Sequence, residues 1–152
     1  MAQAALKLDE TQTPNTVRRF ALPDLDTHGA WLLPRLLQTY PHLNDRMILG
    51  WIRNLLYDNA NLFLFQDNSV ALFQLTSIYS LAPKPEIIER FVFCKEGHAK
   101  EGANFYEEVA RWAKSQGVER IRVEEQSDVP HELIAKAIGS RIFTQEYRFA
   151  RV

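Results

Sequence analysis

The chain has 152 residues, and its 46% hydrophobic and 24% charged residues are values of an ordinary globular domain. With 18 basic and 19 acidic residues its formal net charge is -1, which excludes a nucleic-acid-binding protein that relies on bulk positive charge. Cys94 is the single cysteine, so no internal disulfide can form. Since no apolar run reaches the length of a signal peptide or a membrane span, we expect a soluble, intracellular protein.

The first half of the chain predicts one strand, two helices and a hairpin. We expect residues 1–15 to be a flexible lead-in and residues 16–152 to form a single domain. Apolar spacing and turn residues then predict, in chain order, a strand over 17–22, a helix from 26 or 27 that kinks or restarts at Pro34, a helix from 44 or 45 to 57, and paired strands over 61–66 and 70–81.

The second half predicts a further strand followed by alternating helices and strands. The pattern gives, in order, a strand over 86–94, a loop over 95–103, a helix over 104–116, a strand over 118–124, a helix from 127 or 128 to 139, and a final strand over 141–151. The order is therefore β-α-α-β-β-β-α-β-α-β. Such an order indicates an α/β (α+β) fold, in which helices flank a mixed sheet.

Three local patterns resemble the GNAT superfamily of N-acetyltransferases. They are KEGHAKEGA between a strand and a helix, AKSQGVERI at a helix end and the next strand, and LIAKAIGSRIF at the closing helix. With the element order, the resemblance covers residues 17–152 and implies a GNAT-like fold with a splayed central sheet. Because few residues follow Gly139, it also implies a shortened C-terminus. The ending IG-SRIF-TQEY is similar to small GNAT-like proteins encoded in tailed-phage genomes.

The resemblance implies a site for acetyl-CoA. The pantetheine arm would enter the splayed gap and pair with backbone groups of the fourth strand. The pyrophosphate would lie over the following loop, where free N–H groups and the helix dipole receive phosphates. The residues that this assigns to the cofactor are Phe91, Val92, Phe93, Gly97, Lys100, Gly102, Ala103 and Asn104. No metal is expected, because the four histidines and the cysteine lack metal-ligand spacing.

The resemblance also implies a base that takes a proton from an acceptor amine. Glu86 and Glu89 lie on the fourth strand, where family members often carry that base, and either also fits a solvent-facing edge charge. The family's usual tyrosine acid falls on Ala135, so Tyr79 and Tyr147 are the candidate acids if they face the gap, although aromatic residues of strands usually belong to the core. Cys94 fits a small core residue or a nucleophile.

Four further polar residues are each open to two interpretations. His98 and His131 could transfer protons or simply be exposed. Glu124 and Glu125 could bind a cationic acceptor or be solvated charges at a strand end.

Two functions from different classes follow. The first is a GNAT-like acyltransferase, of full or weakened activity, that moves an acetyl group from acetyl-CoA to a primary amine. The alternative is a catalytically degenerate GNAT-fold binding or structural protein, such as a phage virion or assembly component. It is motivated by Ala99, which stands where the family has Arg or Gln, and by the loss of the usual tyrosine at Ala135.

The two functions imply different partners. The first needs a CoA thioester and an amine acceptor, and the second a protein partner or a second copy of the chain. Neither needs a membrane or a nucleic acid. The expected location is the cytoplasm, or a host cytoplasm or virion if the chain is phage-encoded.

Overall fold

The computed structural model describes residues 17–76, 85–124, 127–139, 142–144 and 148–151, and in the last two ranges only the backbone. Within these ranges the chain forms seven strands and four helices. In chain order they are β1 (Arg18–Arg19), α1 (Asp24–Thr39), α2 (Asp45–Tyr57), β2 (Asn61–Gln66), β3 (Ser69–Leu75), β4 (Ile87–Cys94), α3 (Ala99–Ser115), β5 (Arg120–Val123), α4 (His131–Ile138), β6 (Ile142–Thr144) and β7 (Arg148–Arg151).

The strands form one mixed sheet with the order β1-β2-β3-β4-β5-β7-β6. Neighbouring strands are antiparallel except β4 and β5, which are parallel. The predicted α+β class, a mixed sheet flanked by helices, is therefore confirmed.

Helices cover both faces of the sheet, because alternate strand residues point to opposite sides. On one face, Leu62 and Leu64 of β2 pack with the inward side of α3. On the other face, Phe63 of β2 packs with the apolar stripes of α1 and α2. None of the helices in the described part of the chain has the length and hydropathy needed to cross a bilayer.

Several predicted elements are confirmed, and each has a local cause. α2 begins where the Asn44 side chain accepts the Met47 N–H at 2.9 Å, which is a helix N-cap. β2 and β3 pair as the predicted hairpin across the turn at Asp67 and Asn68. α4 ends at Gly139, whose φ of +79° closes the helix in the left-handed region.

Two predicted helix boundaries before β5 are wrong. α1 begins at Asp24 and continues through Pro34, so there is no restart there. Pro34 has no N–H to donate to the Ala30 carbonyl. Because Ala30 and Pro34 are both exposed, water can bond to that carbonyl instead. α3 begins at Ala99, five residues before the predicted start, because the residues from Ala99 to Glu101 are good helix formers.

The predicted boundaries after α3 also need correction. β5 is shorter than the predicted strand over 118–124. α4 begins at His131 rather than at 127 or 128, because the side chain of Asp128 binds elsewhere in the fold and does not cap the helix. The predicted single strand over 141–151 is two short strands, β6 and β7, which pair with each other. Residues 77–81 of the predicted third strand lie outside the described residues.

Candidate functional site

β4 and β5 separate after a short parallel contact. Their ladder holds two residue pairs, Ile87–Ile121 and Ile88–Arg122, whereas β3 follows β4 along its whole length. Among the described residues, no strand pairs with the β5 side of β4 between Glu89 and its end. We call the space beside this part of β4 the wedge.

A β-bulge at Arg90 turns the side chain of Glu89 toward α3. In the β3–β4 register Glu89 pairs with Phe73 and Phe91 pairs with Leu72, which leaves Arg90 as the extra residue. Without the bulge, Glu89 would share a face with Phe91, which packs on the α1–α2 side. The bulge instead directs the Glu89 carboxyl to the α3 side, at the start of the wedge.

Glu89 is a buried carboxyl with only 1% of its surface exposed. The hydroxyl of Tyr106, on α3, donates a hydrogen bond to it, and the Glu124 backbone donates another. Burial raises the pKa of Glu89 to about 8 despite these bonds, so the carboxyl is mostly protonated at neutral pH. Burial also raises the pKa of Tyr106 well above its usual range, so Tyr106 remains a donor.

Ser127 joins this pair to the connection between β5 and α4. Its hydroxyl oxygen lies 3.3 Å from that of Tyr106 and accepts the Val129 N–H at 3.2 Å. Because Tyr106 donates to Glu89, the Ser127 hydroxyl donates to the Tyr106 oxygen. A chain of hydrogen bonds therefore runs from Val129 to the buried carboxyl.

Three consecutive residues, Ser127, Asp128 and Val129, lie between α3 and the free side of β4, at the wedge, and we call them the closing segment. Asp128 accepts the Cys94 backbone N–H at 2.9 Å and forms an ion pair with Arg35 of α1 at 2.5 Å. The Asp128 carboxylate therefore occupies the β4 backbone donor at Cys94, which faces the wedge.

The buried valine of the closing segment packs where α3 has no side chain. A Cβ on Gly102 would lie 2.5 Å from the Val129 side chain and 2.6 Å from the Cys94 sulfur. The resemblance assigns Gly102 to the cofactor, because a glycine allows close approach of a ligand. In the structure, the side of Gly102 that lacks a Cβ faces Val129 and Cys94. Its glycine is explained by packing of the closing segment between α3 and β4.

The β4 residues assigned to the cofactor, Phe91, Val92 and Phe93, are all buried. In an antiparallel ladder, every second residue bonds to the partner strand, and the residues between them direct their backbone groups away from it. The Lys95 N–H donates to the Asn68 carbonyl at 2.9 Å, which shows which residues of β4 bond to β3. By that alternation the backbone groups of Phe91 and Phe93 bond to β3. Those of Val92 face the wedge, as the resemblance requires of a pantetheine-binding strand.

The loop residues assigned to the cofactor do not lie in one loop, because α3 begins at Ala99 and several of them are helical. Gly97 is exposed in the loop with a φ of +82°, and Lys100 is exposed in the first helical turn. Ala103 and Asn104 are half-buried within α3. A cavity of about 330 Å³ lies at this helix start, lined by Arg35, Cys94, Lys95, Glu96, Gly97, Ala99 and Asp128.

Glu101 holds the start of α3 against the β2–β3 turn. Its carboxylate accepts the Asn68 N–H and the Ser69 hydroxyl, each at 2.8 Å. The nearby His98 ring lies 3.7 Å from the same carboxylate. Glu101 therefore has a structural role at this helix start.

The other predicted catalytic groups are not gathered around Glu89. Glu86 is buried and forms an ion pair with Arg122 of β5 at 2.6 Å. Burial, with Asp128 adding a smaller effect, raises the pKa of Cys94 to about 12, which favours a core residue over a nucleophile. Tyr79 lies outside the described residues.

The remaining predicted polar residues lie at the surface or beyond the described part of the chain. Glu124 is exposed, and its backbone carbonyl lies 3.0 Å from a ring nitrogen of His131. Glu125 and Tyr147 lie outside the described residues. Within the described ranges, no group of three or more His, Cys, Asp or Glu side chains could hold a metal ion.

Sequence reasoning missed Tyr106 and the closing segment. Tyr106 lies three residues before Val109 and seven before Ala113 on the inward side of α3, and a buried tyrosine hydroxyl needs a partner. That signal was present in the sequence. No local pattern shows that Asp128 binds Cys94 and Arg35, because these contacts join residues far apart in the chain.

Comparison with protein-family models, with curated proteins and with solved structures gave no match.

Proposed function

We propose that this chain is a GNAT-like domain whose cofactor wedge is filled by its own closing segment. It works as a binding or structural protein and does not use acetyl-CoA. Such a role includes the virion or assembly component that the resemblance implies.

The sheet supports the GNAT-like part of this proposal. The resemblance implies a splayed pair of strands at the centre of the sheet, and here β4 and β5 are the single parallel neighbours and share a ladder of two residue pairs. The bulge at Arg90 gives the separation of the strands a local cause, since an extra residue bends the strand that carries it.

The closing segment is the observation that carries the proposal. A pantetheine arm would have to pair with the β4 backbone in the wedge, where Asp128 already accepts the Cys94 N–H. It would also have to displace Val129, which is fully buried against α3. Removing both contacts would cost a buried hydrogen bond and a buried apolar side chain, each about 1–3 kcal/mol.

A second candidate, an acetyltransferase, is favoured by one observation. Glu89 has a pKa of about 8 and lies at the bulge where the strands separate. An ionised Glu89 could take the proton from an amine as its nitrogen bonds to the acetyl carbon and the C–S bond to CoA breaks. This candidate requires the closing segment to leave the wedge, because no amine reaches a carboxyl that is 1% exposed.

Thermal unfolding with acetyl-CoA separates the two candidates. A ligand present at about 100 times its Kd adds roughly 2.7 kcal/mol of stability, which is about 5–10 °C in Tm for a chain of this size. We expect no shift at about 1 mM acetyl-CoA, a concentration that would saturate a site with a Kd near 10 µM. A saturable shift that free CoA reproduces would overturn the proposal and favour the second candidate, whose activity is then measured as release of the CoA thiol from acetyl-CoA in the presence of an amine.

A variant that opens the wedge shows whether the closing segment is the obstacle. Asp128→Ala combined with Val129→Ala removes the carboxylate and most of the buried side chain. A shift with acetyl-CoA in this variant alone would identify the closing segment as the cause of exclusion. The matched control is Glu132→Ala combined with Lys136→Ala, at two exposed positions of α4.

A further inference from the structure

The outer face of α2 is a second surface with unusual properties. Residues 46, 50, 53 and 57 recur at helical spacing and form one exposed stripe, with Met47 and Asn54 exposed beside it. Ile48, Ile52 and Leu55 lie on the opposite, buried face.

Exposed apolar side chains lie at both ends of this surface. In the part of the chain that the structure describes, the large hydrophobic side chains that are exposed are Leu22, Met47 and Tyr57, at 39%, 51% and 85% of their surface. Met47 and Tyr57 are on α2. Leu22 and Tyr57 line a groove of about 370 Å³ at the C-terminal end of α2, together with Arg19, Phe20, Ala21, Leu55, Leu56, Asn61 and Phe63. Leu22 and Tyr57 therefore form an exposed apolar pair at the groove, and adjacent exposed hydrophobic residues mark interaction sites.

The same face carries two arginines that no described residue neutralises. Arg46 and Arg53 are exposed and form no ion pair or hydrogen bond with the described residues. By contrast, Arg35, Arg111 and Arg122 each pair with a carboxylate of the fold. The acidic residues of this region lie at the helix ends, as Asp45 in the first turn and Asp58 at the C-cap.

Gly50 leaves room between the two arginines. A Cβ at this position would meet no atom within 4 Å, so the helix surface is open there. A partner side chain can therefore approach the helix closely between Arg46 and Arg53. The glycine costs helix stability in an exposed position, and no contact with the described part of the chain explains it.

We propose that this surface, defined as Leu22, Arg46, Met47, Gly50, Arg53 and Tyr57, binds an acidic amphipathic segment of a protein partner. Apolar side chains of the segment lie on Met47, Tyr57 and the groove, and its carboxylates pair with Arg46 and Arg53. The inference goes beyond the proposed function, because a docking face is compatible with either candidate.

The charge of the surface favours a protein segment over other anionic partners. Lipid headgroups are bound by clusters of about four to eight cations, and nucleic acids by many phosphate contacts. This surface offers two arginines beside exposed apolar residues, and the whole chain has a formal net charge of -1. The two cations lie about one helical turn on either side of Gly50, with Met47 and Tyr57 near the two ends of the stripe, and this arrangement suits carboxylates that an amphipathic helix carries beside its leucines.

Fluorescence anisotropy with a labelled synthetic peptide tests the proposal. The probe is an 18-residue amphipathic peptide of leucine and glutamate, compared with a scrambled peptide of the same composition. We expect the amphipathic peptide to bind at least tenfold more tightly than the scrambled one, which has equal charge but no apolar face. Equal affinity for both, or no binding, would overturn the proposal.

Charge-matched variants locate the binding site. Arg46→Glu combined with Arg53→Glu should weaken binding of the amphipathic peptide at least tenfold. Lys114→Glu combined with Lys136→Glu changes the net charge equally at exposed positions of α3 and α4, and should leave binding within twofold. Equal losses in both variants would contradict a local site. Tighter binding to vesicles rich in phosphatidylserine or to single-stranded DNA would also overturn the assignment to a protein segment.

Discussion

Replacing Glu89 with glutamine, its neutral isostere, should remove a pH dependence of the free energy of unfolding. The folded protein holds Glu89 with a pKa of about 8, against an ordinary value of 4.5. Between these two values the folded chain keeps a proton at Glu89 that the unfolded chain has lost. The stability that this proton supplies is complete below pH 4.5 and is lost as the pH rises to about 8.

The size of the effect follows from the proton balance. Each pH unit in that window lowers the free energy of unfolding by up to about 1.4 kcal/mol, so the loss between pH 5 and 8 approaches about 4 kcal/mol. Glu89→Gln keeps the shape and an acceptor for Tyr106 but cannot ionise.

Urea unfolding of both proteins at pH 5, 6, 7 and 8, followed by circular dichroism, measures the difference. We expect the variant to gain stability relative to the parent as the pH rises. Parallel profiles for the two proteins would refute the interpretation of Glu89 as a buried, protonated acid.

Three further experiments test the packing around the wedge. Gly102→Ala should lower the free energy of unfolding by about 1–3 kcal/mol, because the added methyl group overpacks the contact with Val129 and Cys94. The control, Gly50→Ala on the exposed face of α2, should raise it by about 0.5–1 kcal/mol. Urea unfolding in which Gly102→Ala is the more stable of the two variants would contradict the packing. Glu101→Ala should lower the free energy of unfolding by about 1–3 kcal/mol, because it removes the hydrogen bonds that hold the β2–β3 turn. The control, Glu96→Ala at an exposed position, should change it by less than about 0.5 kcal/mol. Equal effects of the two variants would contradict the structural role of Glu101. Cys94 should react with a thiol reagent at pH 8 only as fast as the protein opens, and immediate reaction in the folded state would show that the thiol is not buried.

The elements with a regular local pattern could be predicted from the sequence. α2 carries Ile48, Ile52 and Leu55 on one stripe, and the Asn44 cap fixes its start. The β2–β3 hairpin follows from two apolar runs around a short polar turn. These signals are local, so they survive in any fold that buries the same face.

The chemistry of the wedge could not be predicted in the same way. Simple alternation along β4 places Glu89 with Phe91, and one bulged residue at Arg90 reverses its direction. A bulge is a property of the strand pair and leaves no clear mark in one strand's sequence. The boundary of α4 was missed for a related reason, because Asp128 has the residue type of a helix cap but binds Cys94 instead.

Amide-resolved hydrogen exchange at Cys94 tests the closed wedge most directly. The Cys94 N–H faces the wedge, and its protection depends on the Asp128 carboxylate, since no strand of the described chain pairs with that side of β4. We expect strong protection of the Cys94 N–H in the free protein, and we expect that it does not change when acetyl-CoA is added. Rapid exchange at Cys94 while Phe93 remains protected, or protection that appears only with acetyl-CoA, would contradict it.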